Sequence, residues 1–297
     1  MDEKKVGLIG ATSLVGECLQ PLLAQNGWRV TAFSRRFLNS NEERIKWRQF
    51  DSSHPLTTNL SVDLKEKIDF WLCVAPIWVL LEHFSLLEAY GVRRVVALSS
   101  TSRFTKDHSS DLAEQDVARR LAKSEDKLKN WAEAGNVEWV ILRPTLIYGL
   151  GRDKNIAEIA NFIYRFGFFP LVGRASGLRQ PVHVEDVAQA CLAALEECDK
   201  TNHAYNLSGG EALPYREMVR RVFTAMKCRP RLLTVPLWVF RSVLMFMRLL
   251  PRYRHWTAAM AERMNSDMVF DSSEAARDLK FCPRPFQPKE SDLPVFP

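Results

Sequence analysis

Gly10, Ser13 and Gly16 form the first pattern in this chain whose residue types and spacing suit a dinucleotide. They join an apolar run, 6–9, to an amphipathic run that predicts a helix from about Val15 to Asn26. In the dinucleotide fingerprint the outer glycines permit a sharp turn and close helix packing, and the middle position lets backbone amides approach the pyrophosphate. Serine fits that middle position where φ stays negative, and its hydroxyl can donate to a phosphate. We therefore predict a pyrophosphate site, with an ordinary strand–helix turn as the alternative, at Gly10, Thr12, Ser13, Leu14, Val15 and Gly16.

The end of the second predicted strand decides which dinucleotide suits the chain. It reads Ser34-Arg35-Arg36, with no carboxylate at the position from which NAD-binding proteins hold the ribose 2′-hydroxyl. The forked donors of an arginine guanidinium suit a 2′-phosphate instead. This pattern predicts NADP(H) as the cofactor in preference to NAD(H), and two solvated loop charges are the alternative interpretation.

Composition and charge limit the class of protein. The chain has 297 residues, of which 46% are apolar, enough for one large α/β domain or a domain with a smaller lobe. The net charge of +6 is uneven, because residues 216–263 carry a net +9, and they lack the interleaved aromatic residues of a nucleic-acid platform. The six cysteines have neither CxxC nor zinc spacing, which indicates small buried residues in a reducing compartment. Without a signal peptide in the opening residues, we expect a cytoplasmic protein with no nucleic-acid partner and no metal.

The order of apolar runs predicts an α/β fold with a doubly wound parallel sheet. Strand-like segments alternate with amphipathic ones, and strands separated by helices pair in parallel through right-handed crossovers. The strand-like segments are 5–10, 28–36, 45–51, 68–76, 93–102 and 137–149. We expect a Rossmann domain at 1–149, rejoined by 182–208 where the chain returns to the sheet. A smaller, mostly helical C-terminal lobe that binds substrate would comprise 150–181 and 209–297.

With these strands in view, the chain resembles the extended and atypical short-chain dehydrogenase/reductases, the NAD(P)-dependent epimerase/dehydratase family. The resemblance covers almost the whole chain. It rests on six stretches in family order, GATSLVG, VVALSSTS, ILRPTLIYGLGRDKNI, PVHVEDVAQACLAAL, AYNLSGGEALPYREMV and VFDSSEAARDLKF. It implies an oxidoreductase or isomerase that transfers a hydride to or from a carbon bearing oxygen, as in nucleotide-sugar epimerisation or carbonyl reduction.

The resemblance also implies roles for individual residues. Thr101 lies where the family keeps the hydroxyl that binds the reacting oxygen, and Lys123 is the best match for the lysine that binds the cofactor ribose. Residues near the ends of four further strands would contact the cofactor. They are Asp51, Ala75, Pro76, Ser99, Pro144 and Thr145.

The predicted helix 112–134 departs from the family in having no tyrosine. The family pairs a tyrosine with a lysine four residues later, and the tyrosine hydroxyl gives or takes the proton. With Lys123 as the lysine, Arg119 takes the tyrosine position, and arginine is a poor proton carrier because it stays protonated. An alignment shifted by two residues instead places Val117 at the tyrosine position and Leu121 at the lysine position.

Two interpretations of this loss stay open. In the first, His108 in the loop after the fifth strand, or a water molecule, supplies the proton, since histidine titrates near neutral pH. In the second, the chain is a non-catalytic NADPH-binding assembly or regulatory protein. The accessory NADPH-holding subunit of respiratory complex I, which this chain also resembles, is the precedent.

Residues 237–254 form an apolar and basic segment with three interpretations. From 237 to 250 every residue is apolar except Arg241, Ser242 and Arg248, and fourteen helical residues span about 21 Å, too short for a bilayer. Such a helix would roof a substrate pocket with its arginines on a diphosphate, lie peripherally on the inner membrane face, or pack into the small lobe.

The basic side chains of helix 112–134 bear on oligomeric state. Many extended members of the family dimerise by pairing this helix, but here a symmetric interface would desolvate many like charges. We therefore expect a monomer.

Overall fold

The computed structural model describes residues 4–35, 38, 42–49, 67–107, 109–197, 201–236, 238 and 263–296. The strands are β1 (Lys5–Ile9), β2 (Arg29–Ser34), β3 (Ile45–Gln49), β4 (Phe70–Cys73), β5 (Arg94–Leu98), β6 (Glu138–Pro144), β7 (Ile147–Tyr148), β8 (Phe169–Val172), β9 (Leu178–Arg179), β10 (Val182–His183), β11 (His203–Leu207), β12 (Leu213–Pro214) and β13 (Leu232–Val235). The helices are α1 (Leu14–Gln25), α2 (Ile77–Leu80), α3 (Phe84–Ala89), α4 (Ser102–Thr105), α5 (Leu112–Ala134), α6 (Ile156–Phe166), α7 (Val184–Glu196), α8 (Tyr215–Ala225) and α9 (Ser273–Asp278). Short 3₁₀ turns occur at Leu81–His83 and Glu290–Asp292.

Seven of these strands form one parallel sheet, which confirms the predicted fold class. Their order across the sheet is β3-β2-β1-β4-β5-β6-β11, the doubly wound arrangement of a Rossmann fold. The six predicted strand segments are its first six strands in the chain. The order reverses between β1 and β4, so a crevice opens at the carboxyl ends of these two strands.

Alternate residues of the central strands fill two cores on opposite faces of the sheet. In β5, Val96 and Leu98 face one core while Val95 and Ala97 face the other, because successive side chains of a strand point to opposite faces. Helices α1 and α7 cover the first face, and α2, α3 and α5 cover the second. Burial on both faces explains why the strand sequences are almost continuously apolar.

The seventh strand of the sheet lies within 182–208, the range expected to return to it, but near the end of that range. The segment expected to return, beginning at Val182, forms only the two-residue strand β10, which pairs with β7 outside the main sheet. The strand that joins the sheet is β11, in parallel register with β6 from His203 opposite Val140 to Leu207 opposite Pro144. Helix α7 is the part of that segment that packs on the sheet, against α1.

A third hydrophobic cluster lies outside the sheet and its helices. It is built mainly from α6, β8 and α8, with Met264, Phe286 and Leu293 added from the end of the chain. Two small strand pairs, β8 with β13 and β9 with β12, belong to the same part of the chain. In the described portion of 150–181 and 209–297, these strand pairs accompany the helices α6, α8 and α9. The division of the chain into two lobes at 149/150 stays a prediction.

The structure also bears on the burial of the cysteines and on whether a helix could span a membrane. Cys73 and Cys191 are buried as predicted, but Cys228 and Cys282 are exposed, because they lie in loops that follow α8 and α9. None of the helices in the described part of the chain is both long and apolar enough to cross a membrane. The apolar and basic segment, 237–254, lies outside the described residues apart from Trp238.

Candidate functional site

The turn between β1 and α1 has room for backbone but not for side chains. Gly10 has a φ of +85°, and a Cβ there would lie 2.4 Å from the backbone nitrogen of Ala75. A Cβ on Gly16 would lie 2.4 Å from the carbonyl oxygen of Gly10. Glycine at these two positions therefore lets α1 begin directly against the end of β1 and beside the end of β4.

Ser13 fits the turn as the N-cap of α1. Its φ is −76°, an extended conformation open to any residue, and its hydroxyl oxygen accepts the Gly16 amide at 3.1 Å. Leu14 and Val15 are the first residues of the helix, so their amides have no acceptor within it. Two outward amides at the positive end of a helix suit an anion. The turn, with exposed Thr12 beside it, therefore fits a pyrophosphate group.

The carboxyl end of β2 carries the residues expected at the adenosine ribose. Ser34 is buried and Arg35 is exposed, and the Arg35 carbonyl accepts the side-chain amide of Gln49 at 3.2 Å. None of these three described residues is a carboxylate. Arg36 and Asp51, predicted to contact the cofactor as well, lie outside the described residues.

The crevice continues past the ends of β4 and β5. Ala75 is half-buried and Pro76, which precedes α2, is exposed beside the Gly10 turn. Thr101 follows β5 and is 5% exposed. Its amide and its hydroxyl donate to the carbonyl of Pro144 at 3.1 and 3.2 Å, so the hydroxyl oxygen is left with lone pairs for a further donor. Thr145 donates to the carbonyl of Gln180 at 2.5 Å.

A single cavity of about 660 Å³ connects several of the predicted positions. Its wall includes Leu14 from the first turn of α1, Thr101 and Thr145. Basic side chains outnumber acidic ones in the lining, which contains Lys106, Arg152, Lys154, Arg179 and Arg263 against Asp153. The cavity therefore joins the proposed pyrophosphate turn to a positively charged space large enough for a small-molecule ligand.

Arg179, which the sequence analysis did not identify, is the most distinctive of these basic residues. It is 6% exposed, and burial lowers its pKa to about 10. Its guanidinium donates to the carbonyls of Leu178 at 2.7 Å, Ser266 at 2.8 Å and Arg263, and it lies 5.5 Å from the ring centre of Tyr215. These acceptors are neutral, so a buried positive charge is held in the cavity wall without a carboxylate partner among the described residues.

A second group that sequence reasoning missed is the buried carboxylate of Glu125 on α5. It is 0% exposed and accepts the Ser99 hydroxyl at 2.5 Å, Arg143 Nη2 at 2.6 Å and Arg103 Nη1. Burial alone would raise the pKa of Glu125, but the hydrogen bonds from Arg143 and Ser99 and the two guanidinium charges outweigh it and lower that pKa. Because Ser99 and Arg103 flank Thr101 on both sides, Glu125 ties α5 to the segment that holds the threonine.

The bond to Glu125 changes the interpretation of Ser99. This residue was expected to contact the cofactor, yet its hydroxyl is committed to a buried carboxylate. No sequence spacing points to the contact, since the two residues are 26 positions apart.

Lys123 does not lie where the resemblance placed it. Its side chain is exposed and lines a surface groove between α5 and the segment that includes Trp78, whereas Thr101 lines the cavity described above. The side chains of α5 that face the sheet include Glu125 and, one turn earlier, Leu121, which is 4% exposed. Val117 lies one turn before Leu121 and is a partly buried residue packed against the same core. The helical spacing therefore agrees with the shifted alignment, in which both functional positions are apolar.

The loop after Thr101 carries charged groups of its own. Lys106 lines the cavity and lies 3.7 Å from Glu114, which also pairs with Arg263 and accepts the Ser109 hydroxyl at 2.7 Å. Glu114 thus links the start of α5 to Lys106 and Arg263, two basic residues of the cavity lining. His108, expected as a proton carrier, lies outside the described residues.

Comparisons with known proteins agree with this architecture. The model of the NAD dependent epimerase/dehydratase family matches residues 79–208. The uncharacterized protein YbjS of Escherichia coli is 25% identical, covering 94% of this chain and 93% of its own. The ceramide reductase of Caulobacter vibrioides is 26% identical, covering 78% of this chain and 73% of its own. The structure of UDP-glucuronic acid 4-epimerase from Bacillus cereus in complex with NAD superposes with a TM-score of 0.69 at 16% identity, covering 97% of this chain and 95% of that one.

Proposed function

We propose that this chain, whose residues 79–208 match the model of the NAD dependent epimerase/dehydratase family, is an NADP(H)-binding enzyme. It would act by hydride transfer on a diphosphate-bearing substrate such as a nucleotide sugar, or on another carbonyl compound. One observation carries the proposal. The cavity that begins at Leu14, on the helix end suited to a pyrophosphate, also contains Thr101 and the buried charge of Arg179. A cofactor and an anionic substrate would therefore meet beside the threonine.

The cofactor would be held along the crevice at the carboxyl ends of the strands. The turn from Gly10 to Gly16 would bind its pyrophosphate, Ala75 and Pro76 would lie beside it, and Pro144 and Thr145 would line the nicotinamide end. When bound, the nicotinamide supplies the hydride acceptor or donor. The remaining chemistry falls to this chain's own side chains.

The preference for NADP(H) rests on the arginine that follows β2. Arg35 is exposed at that position with no carboxylate on the neighbouring described residues, although the Bacillus cereus relative is in complex with NAD. We expect NADPH to bind about tenfold more tightly than NADH, since a charge-assisted hydrogen bond contributes about 1.5 kcal/mol or more. Calorimetric titration tests this with Arg35→Ala, which should weaken NADPH alone, beside Arg229→Ala, an exposed arginine in a loop. Equal affinities for the two cofactors would contradict the preference.

Arg179 would bind the anionic part of the substrate. A buried guanidinium whose acceptors are all backbone carbonyls gains a strong partner when a diphosphate enters the cavity. We expect Arg179→Leu to lose binding of UDP-glucose and UDP-glucuronic acid, measured by titration in the presence of saturating NADPH. The exposed Arg174→Leu is the matched control, and equal losses in both variants would remove Arg179 from the site.

In an active enzyme, Thr101 would hold the reacting oxygen by accepting a hydrogen bond from a substrate hydroxyl, because its own proton is directed to the Pro144 carbonyl. Binding of a carbonyl oxygen would require that proton to turn into the cavity. The proton would come from His108 or from a water molecule, since α5 offers no tyrosine. Incubating the protein with NADPH and a panel of nucleotide sugars, aldehydes and lipid ketones, with NADPH absorbance and product analysis as readouts, tests for turnover.

A non-catalytic NADPH-binding role is the second candidate, and the face of α5 favours it. Leu121 and Val117 place apolar side chains on the face that looks toward the end of β5. Under this second proposal NADPH co-purifies or binds tightly, while no member of the substrate panel is consumed. Consumption that depends on substrate and is lost in Thr101→Val decides for the enzyme.

A further inference from the structure

The surface groove on α5 has a composition that the proposed function leaves unused. It has a volume of about 590 Å³ and separates α5 from the segment formed by α2 and the following 3₁₀ turn. Its α5 wall carries four cations, Arg119, Arg120, Lys123 and Lys127, with one carboxylate, Asp116, and the opposite wall contributes Glu82. The groove does not share a lining residue with the cavity that contains Thr101. It is therefore a separate feature of the surface.

Three of the four cations in the groove have no carboxylate partner among the described residues. Arg119 pairs with Asp116 at 2.7 Å, but Arg120, Lys123 and Lys127 form no ion pair in the part of the chain that the structure describes. The guanidinium of Arg120 instead lies 4.3 Å from the ring centre of Trp78. A row of unneutralised positive charge thus extends along one side of the groove.

The spacing of these residues defines the shape of a partner. Arg120, Lys123 and Lys127 stand at i, i+3 and i+7, so they share one face of α5 and span about 10 Å along its axis. An antiparallel or parallel helix with carboxylates at the same spacing would place an acidic group opposite each cation. The concave groove between α5 and α2 would receive the body of that helix.

The composition of the groove argues against two other occupants. A symmetric contact between two copies would bring the same unpaired cations of both chains together and desolvate them, which is unfavourable. A bilayer would require apolar side chains that project from the surface. Trp78 and Leu81 are instead half-buried, and the exposed large apolar side chains of the described residues all lie elsewhere.

We propose that the groove between α2 and α5 is a docking site for an acidic helical segment of a partner protein. Charge complementarity carries the assignment, since opposite charges across an interface speed association and exclude wrong partners. The half-buried ring of Trp78, with Arg120 stacked on it, supplies a fixed aromatic surface at the floor. Such residues are enriched at the centres of interfaces.

A labelled peptide provides the test with the full-length protein. The probe is a 21-residue alanine helix with glutamates at the first and fourth positions of each heptad, which repeats the spacing i, i+3 and i+7. It is compared with a peptide of the same composition whose glutamates are distributed around the whole helix. Fluorescence anisotropy should show binding of the first peptide and about tenfold weaker binding of the second, as expected for three exposed ion pairs. Raising the ionic strength from about 0.01 to about 0.15 M should weaken the binding, because the Debye length falls from about 30 to about 8 Å.

Two variants with equal charge change locate the contact. Arg120→Gln/Lys123→Gln/Lys127→Gln should bind the first peptide about tenfold more weakly than the wild type. The control Lys46→Gln/Arg229→Gln/Arg231→Gln removes three exposed cations elsewhere and should bind it like the wild type. Circular dichroism melting of both variants excludes misfolding as the cause of a loss.

Four results would overturn the proposal. The first is no binding of the peptide whose glutamates share one face. The second is an equal loss of affinity for that peptide in the groove variant and in the control variant. The third is tighter binding of single-stranded RNA or phosphatidylglycerol vesicles than of the peptide, with the loss confined to the groove variant, which would assign the groove to those ligands. The fourth is a wild-type dimer in sedimentation analysis that the groove variant disrupts, which would identify a second copy as the occupant.

Discussion

Replacing Glu125 with glutamine removes one negative charge from a site shared with two arginines. The carboxylate accepts Arg143 at 2.6, 3.1 and 3.2 Å, together with Arg103 and the hydroxyl of Ser99. In the variant, one amide oxygen still accepts Ser99, but the amide NH₂ is a donor that faces the guanidinium donors of Arg143. The substitution keeps the volume of the side chain and changes only charge and hydrogen-bonding capacity.

The loss of stability depends on the arginine charges that stay buried when the carboxylate of Glu125 is removed. Removing one partner of a buried ion pair costs about 3–5 kcal/mol, because the other charge stays buried. The arginine side chains are 13% and 21% exposed at Arg143 and Arg103, so both regain some hydration. We therefore expect the lower end, about 3 kcal/mol of unfolding free energy. In a chain of this size that corresponds to a fall in Tm of about 6 °C.

The assay is urea unfolding followed by circular dichroism at several pH values. The control is Glu133→Gln on an exposed position of the same helix, which should change the free energy of unfolding by less than about 0.5 kcal/mol. The pKa of Glu125 is lower in the folded protein than in the unfolded chain, so its stabilisation is complete above the unfolded pKa of about 4.3. It is lost as the pH falls through the folded pKa. The difference between wild type and Glu125→Gln should therefore be largest at neutral pH and shrink below about pH 4.

Two outcomes would refute this reasoning. If Glu125→Gln were as stable as Glu133→Gln at pH 7, the arginine contacts would not stabilise the fold. If the difference stayed constant down to about pH 2, the ionised carboxylate would not be its source.

Three other predictions concern the turn, the loop and the thiols. Gly10→Ala should destabilise the fold by about 3 kcal/mol in urea unfolding and abolish NADPH binding, because φ is +85° and the new Cβ would lie 2.4 Å from a backbone nitrogen. Retained NADPH binding would contradict the assignment of the pyrophosphate to the turn from Gly10 to Gly16. Asp153→Ala should lower the free energy of unfolding by about 2 kcal/mol, since the Asp153 carboxylate accepts hydrogen bonds from backbone amides at 2.6 and 2.8 Å where α6 begins. An unchanged Tm would show that these hydrogen bonds do not stabilise the start of the helix. Cys228 and Cys282 should react with a thiol reagent in the native protein, whereas Cys73, whose pKa burial raises to about 12, should react only on unfolding, as mass spectrometry of the labelled peptides would show.

The fold and the glycine turn that begins α1 were accessible from the sequence because they depend on local patterns. Apolar runs separated by amphipathic ones predict the strands and their parallel pairing, and helix α5 begins and ends where its pattern places it, at Leu112–Ala134. The glycine turn is equally local, since Gly10, Ser13 and Gly16 are neighbours along the chain. The return to the sheet within 182–208 was predicted, but the strand β11 was not identified, because His203–Leu207 is short and has only the weak alternation of a strand at the sheet's edge.

What the sequence determined by itself is the doubly wound sheet, the turn that begins α1 and the absence of tyrosine from 112–134, since each is a property of consecutive residues. Only the tertiary structure decided which face of α5 meets the end of β5, and it placed Leu121 and Glu125 there and Lys123 in a groove on the surface. It also placed Arg179 in the cavity wall through carbonyls up to 87 positions away. A helix rotated by one residue turns each side chain by about 100°, and such a rotation is set by packing between distant segments rather than by any local pattern.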